Sequence, residues 1–208
     1  MTLHTWWIFF AAVFILSGTP GPNMLHVLRR SVSFGARRSM AAMAGCLTAV
    51  VIVLALSAAG LSAVLVASPA IFDVLRYAGV AYLLYLGIKA WRGDDAPLTI
   101  DADAHKPAIS LSSLFRGGLM IGFSNPKLLL FAAAFLPQFL NQSAPQVPQF
   151  IILVLTFAAA EAFWYAIYGL GGQSLAVYLK RPALKKVFDR VTGGIFVGFG
   201  AALLKIHL

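Results

Sequence analysis

The chain has 208 residues, of which 60% are hydrophobic and only 11% are charged. A soluble domain carries about a quarter charged residues, so most of this surface is not adapted to water. A net charge of +9 would suit nucleic-acid binding, but basic excess in a membrane protein collects in cytoplasmic loops, and we favour that interpretation. A spanning helix needs about 20 apolar residues, which predicts one all-α polytopic domain of about six transmembrane helices.

Helix one is predicted over residues 6–28, and its apolar start has no basic residue before Arg29, which argues against a cleaved signal peptide. Its end carries Pro20, Gly21, Pro22 and Asn23. Each proline removes a backbone donor and pushes the preceding residue toward extended geometry, so we expect an unwound segment. Asn23 is then expected to cap the helix that resumes at Met24.

The remaining predicted helices follow in chain order at residues 39 to the mid-sixties, 71–91, 113–140, 150–178 and up to about 204. We divide the domain into half one (1–92), a polar cytoplasmic loop (93–112) and half two (113–208). Of the 16 Lys and Arg residues, all but Arg76, Lys127 and Lys205, hence 13, lie in the loops one–two, three–four and five–six or at their edges. This asymmetry predicts a multi-pass membrane protein with the three basic loops in the cytoplasm and both termini on the opposite side.

Helix four carries a matching interruption, with Asn125 expected as a helix cap and Pro126 at the first helical position. With three helices in each half, helix four runs opposite to helix one, so the halves form an inverted repeat. Interrupted spans at corresponding positions of two halves indicate a transporter's binding site. Ordinary proline kinks are the alternative interpretation.

The resumed half-helices present their positive N-terminal ends, which suit a carboxylate, and Lys127 adds a full charge. Glu161, near the middle of helix five, is expensive to bury at that depth and therefore points to a functional cavity. It either binds the substrate ammonium or carries a coupling proton, or it is a structural partner of Lys127. The predicted substrate-binding residues are Pro20, Gly21, Pro22, Asn23, Asn125, Pro126, Lys127 and Glu161, with Trp164, Tyr165 and Tyr168 either lining the cavity or packing.

No cofactor or metal is expected, because Cys46 is a single cysteine and the four histidines have no metal-ligand spacing. The patterns Gly118-x-x-x-Gly122 and Gly194-x-x-x-Gly198 allow close helix approach. They fit packing within one bundle and a homodimer equally well.

Several segments together resemble one known family. These are SGTPGPN at 17–23, GARR at 35–38, YLLYLG at 82–87, FRGG at 115–118, NPK at 125–127 and FLPQF at 135–139. In this order they resemble the LysE/RhtB amino-acid exporters over nearly the whole chain. The resemblance implies an efflux carrier of the bacterial inner membrane for amino acids or close derivatives, with the proton gradient as the driving force. In that membrane both termini are expected in the periplasm.

Lysine-exporting members of that family carry an acidic residue in helix two, whereas residues 39–66 here contain none. The departure favours a neutral substrate of the homoserine, homoserine lactone, threonine or leucine type. Alternatives are export of another solute, a non-transporting membrane scaffold and an intramembrane enzyme. A scaffold would need a large loop that faces its partner. An enzyme would need paired catalytic groups, whereas Glu161 stands alone, so we expect no enzymatic activity.

Overall fold

The computed structural model describes residues 1–67, 109–141 and 143–179, together with scattered positions between 74 and 92 and between 183 and 201. Its helices are α1 (Leu3–Gly18), α2 (Pro22–Phe34), α3 (Ala36–Ala67), α4 (Leu111–Phe123), α5 (Pro126–Leu130) and α6 (Gln146–Leu179). A π-helical turn (Phe131–Phe135) and a 3-10 turn (Leu136–Phe139) follow α5. The predicted all-α membrane fold is confirmed.

The predicted spans correspond closely to these elements. Helix one is the pair α1 and α2, bent by 48° at the proline motif, and helices two and five are α3 and α6. Within the described residues, α3 and α6 are each long and apolar enough to cross a bilayer, and the bent pair adds a third span if it crosses as one. Predicted helices three and six, and most of the loop 93–112, lie outside the continuous described segments.

Local sequence signals explain where the helices begin. The Thr2 side chain accepts a hydrogen bond from the backbone N–H of Thr5 at 3.1 Å and caps α1. Ser110 caps α4 in the same way. Gly35 separates α2 from α3 with a φ of 81°, a left-handed conformation that glycine adopts without a steric penalty. The chain therefore turns between two spans with a single intervening residue.

Helices α3 and α4 cross at very close range through small residues. A Cβ atom on Gly118 would overlap the carbonyl oxygen of Ala42, and one on Gly45 would overlap that of Phe115. The Gly118-x-x-x-Gly122 pattern therefore packs against α3 of the same chain, which is the first of the two predicted interpretations, packing within one bundle. The homodimer stays a prediction.

Two buried clusters lie on either side of the break in the first span. Phe9 of α1 packs on aromatic rings that follow α5, with 5.1 Å between the ring centres of Phe9 and Phe139. Met24 of α2 packs with Cys46, Tyr165 and Tyr168 in the second cluster. Large apolar side chains that point outward, as expected for lipid contact, include Leu56, Ile151, Leu155 and Leu170. Thr19 and Asn23, at the two ends of the break, are buried between these packed regions, whereas Pro20 and Gly21 are half-buried and Pro22 is exposed.

Candidate functional site

The first span is unwound over three residues. α1 ends at Gly18, after which Thr19 has φ −70° and ψ 133° and Gly21 has φ −135° and ψ −179°. These are extended conformations, which is what prolines at positions 20 and 22 impose on the residues before them. Unwound backbone at membrane depth is tolerated only where protein buries it or a wet cavity adjoins it. The predicted interruption is confirmed.

The expected capping role of Asn23 is wrong. α2 begins at Pro22 with Gly21 as its N-cap, and no side chain caps this end. Asn23 is already inside the helix, is 3% exposed, and donates from Nδ2 to the hydroxyl of Tyr165 at 2.9 Å. The first intrahelical bond at this end runs from the N–H of Leu25 to the carbonyl of Gly21. The N–H groups of Asn23 and Met24 therefore precede the hydrogen-bonded ladder and face the break.

The second break follows the predicted geometry. Asn125 is the N-cap of α5, and its Oδ1 accepts a hydrogen bond from the backbone N–H of Lys127 at 3.1 Å. Pro126 is the first residue of α5, a position where its missing N–H costs nothing. Both predictions for this motif are confirmed as local structure. The side chain of Asn125 is occupied by its own helix.

Lys127 joins the two breaks. Its ammonium donates to the carbonyl oxygens of Leu16 at 3.0 Å and of Thr19 at 3.3 Å. A third hydrogen bond reaches the hydroxyl oxygen of Thr19 at 3.1 Å. The last carbonyls of a helix lack intrahelical partners and carry partial negative charge, so a lysine there is stabilising. All three ammonium donors are directed at the end of α1, beside Gly21, where a Cβ atom would lie 3.3 Å from Nζ.

Two aromatic side chains of α6 complete the capping of α1. The indole N–H of Trp164 donates to the carbonyl of Phe14 at 2.8 Å. The hydroxyl of Tyr168 donates to the carbonyl of Gly18 at 3.0 Å. Gly18 lies against the Trp164 ring so closely that a Cβ atom would come within 2.7 Å of it. These residues thus hold the broken end of α1 rather than merely filling space.

Glu161 is 4% exposed and lies among polar side chains from α1, α5 and α6. Tyr165 and Ser17 face its carboxylate, and Lys127 interacts with it electrostatically. The ammonium of Lys127 contacts the end of α1 instead of pairing directly with this carboxylate. Cys46 of α3 packs in the same buried cluster as Tyr165.

The structure therefore brings the two breaks, Lys127, Glu161 and the three aromatic residues into one polar centre. Sequence analysis did not single out Ser17 and Thr19, and it considered Cys46 only in excluding a metal site. Hydroxyl residues immediately before a double-proline motif were an available signal, because an unwound segment needs side-chain partners for its backbone. Nothing local in the sequence indicates that Cys46 packs with Tyr165.

The sequence profile of the LysE type translocators matches residues 14–206. The chain is 31% identical over 203 residues to the homoserine/homoserine lactone efflux protein of Salmonella typhimurium, covering 98% of this chain and 97% of the relative. It is 32% identical over 208 residues to the leucine efflux protein of Salmonella choleraesuis, covering 99% and 96%. An uncharacterized membrane protein of Vibrio cholerae is 29% identical over 203 residues. No solved structure gives a significant match.

Proposed function

This chain belongs to the LysE type translocator family, and on that premise we propose that it exports a neutral amino acid or close derivative. The relatives named for homoserine, homoserine lactone and leucine efflux support this substrate class. We further propose the bacterial inner membrane as its location and the proton gradient as its driving force. We propose that transport needs no cofactor, because the site binds the charged groups of the substrate itself.

The meeting of the two breaks is the observation that carries the proposal. The uncapped N-terminus of α2 offers the N–H groups of Asn23 and Met24, and Lys127 brings a positive charge to the same segment. Helix N-termini with free N–H groups suit carboxylates. We propose that the substrate carboxylate binds there, drawing Lys127 away from the carbonyl of Thr19. Pro20, Gly21 and Pro22 hold the segment open, and Asn125 with Pro126 directs Lys127.

The charges of the site favour a zwitterion. The site holds one basic group, Lys127, and one acidic group, Glu161, which interact electrostatically, and α3 adds the thiol of Cys46 to the same buried region. A substrate with one carboxylate and one ammonium offers a partner to each of these two groups. An additional charge on the substrate side chain would be poorly solvated and would have no partner. This balance supports a neutral side chain.

We propose alternating access through movement of half one (1–92) against half two (113–208), connected by the loop 93–112. The matched interruptions support this repeat. The basic residues support a cytoplasmic location for the connection between α2 and α3 and for the start of α4. Both termini would then lie in the periplasm. Fusing a periplasm-dependent reporter such as alkaline phosphatase to the C-terminus would give activity if this orientation holds, and none if the C-terminus is cytoplasmic.

The test of function is efflux from bacterial cells preloaded with labelled homoserine, threonine or leucine. Wild type is compared with Glu161→Gln and with Arg116→Gln, an exposed charge on α4 that serves as a matched control. We expect uncoupler-sensitive export that Glu161→Gln abolishes and Arg116→Gln retains. Export that survives Glu161→Gln would give Glu161 a structural role only, and no export of any amino acid would favour a different solute.

A further inference from the structure

The orientation of the Asn23 amide follows from its partner. Tyr165 has one hydroxyl hydrogen, which its hydrogen bond to the Glu161 carboxylate uses. The hydroxyl oxygen of Tyr165 is then left to accept from Asn23. The amide nitrogen Nδ2 therefore faces Tyr165 at 2.9 Å, and the carbonyl oxygen Oδ1 faces the other way.

Two buried oxygens next to this chain of hydrogen bonds have acceptor capacity that no described residue uses. Asn23 Oδ1 and Ser17 Oγ are fully enclosed and make no hydrogen bond of normal geometry among the described residues, although the Ser17 hydroxyl faces the Glu161 carboxylate and can donate to it. Their residues are 3% and 0% exposed. Buried polar atoms in native proteins nearly always have partners, so these two oxygens need an ordered water or a bound group to complete them.

Glu161 connects the two oxygens. Ser17 faces its carboxylate directly, and Asn23 reaches it through the hydroxyl of Tyr165. All three groups can accept hydrogen bonds, and Ser17 lies in the last turn of α1, where the helix end carries partial negative charge. The group that fits is a cation with several N–H donors. A primary ammonium has three.

We propose that Ser17 Oγ, Asn23 Oδ1 and the Glu161 carboxylate bind the primary ammonium of the exported substrate, and that Ser17 and Asn23 thereby determine specificity for a primary amine. The inference rests on the proposed function and deepens it. The zwitterion would lie across the break, with its ammonium toward the end of α1 and its carboxylate toward the start of α2. Loss of an N–H donor or of the charge then leaves a buried acceptor without its partner.

The test is counterflow into proteoliposomes of labelled leucine, threonine and homoserine. Each is competed by itself, by its N,N-dimethyl analogue and by the corresponding 2-hydroxy acid. We expect wild type to prefer the primary amine by at least about tenfold, the effect of one hydrogen bond to a charged group. Ser17→Ala and Asn23→Ala should lower that preference several-fold. Ser31→Ala is the control, because Ser31 is buried on α2 and donates to the carbonyl of Gly169, outside this cluster.

The preference ratio is measured within each variant, so a general loss of stability does not change it. Equal preference in wild type and both variants would overturn the proposal, as would a wild type that does not discriminate against the analogues. Transport of none of the three amino acids by wild type would instead refute the proposed function on which it rests. If Asn23→Ala does not insert, the result with Ser17→Ala decides.

Discussion

Replacing Lys127 tests whether the two breaks are joined as the structure describes. In Lys127→Met the apolar stem is kept and the ammonium is lost. The carbonyl of Leu16 keeps the hydrogen bonds from the backbone N–H of Thr19 at 3.2 Å and from its hydroxyl at 2.7 Å. The carbonyl of Thr19, whose described partner is Lys127, is left without one.

One buried carbonyl without a partner costs about 1–3 kcal/mol. The hydroxyl of Thr19 also contacts the ammonium at 3.1 Å, so Thr19→Val and Lys127→Met should not act independently. Residues in one hydrogen-bonding network typically show interaction energies of about 0.5–3 kcal/mol. We therefore expect Lys127→Met to lower the free energy of unfolding by about 1–3 kcal/mol, and the double variant to depart from the sum of the single ones.

The assay is unfolding of the purified protein in mixed micelles by titration with a denaturing detergent, for wild type, both single variants and the double variant. Departure from additivity by about 0.5 kcal/mol or more would support a direct contact. Additive effects together with a cost below about 0.5 kcal/mol for Lys127→Met would refute the contact between the breaks.

Three further substitutions follow from the same geometry. Gly45→Ala should lower the thermal unfolding temperature, because the added Cβ would overlap the carbonyl of Phe115 at the α3–α4 crossing. Gly60→Ala on the same helix is the control, because its Cβ meets open space and the unfolding temperature should not change. Asn125→Ala removes a helix cap and should cost about 1 kcal/mol by detergent titration, and an unchanged midpoint would contradict the capping assignment. Tyr168→Phe leaves the carbonyl of Gly18 without its described donor and should cost about 1–3 kcal/mol, and a variant as stable as wild type would show that this bond is dispensable.

Local chemistry explains the successes of the sequence analysis. The break at residues 19–21 and the cap at Asn125 both depend on residues within two or three positions of each other, and proline and asparagine preferences act over that range. The capping prediction for Asn23 failed because Gly21 itself can end the extended segment, so α2 starts one residue before Asn23. The amide was then free to bond outside its own helix.

The membrane class, the described spans and the positions of both breaks can be predicted from the amino-acid sequence, because hydropathy and backbone restrictions are properties of short segments. Which side chains meet at the breaks depends on how the helices pack. Asn23 and Tyr165 are 142 residues apart in the chain, and Lys127 reaches back 111 residues to Leu16. Such pairs arise from the way helices cross and face one another, which no local propensity specifies, and they convert two separate helix breaks into one polar centre.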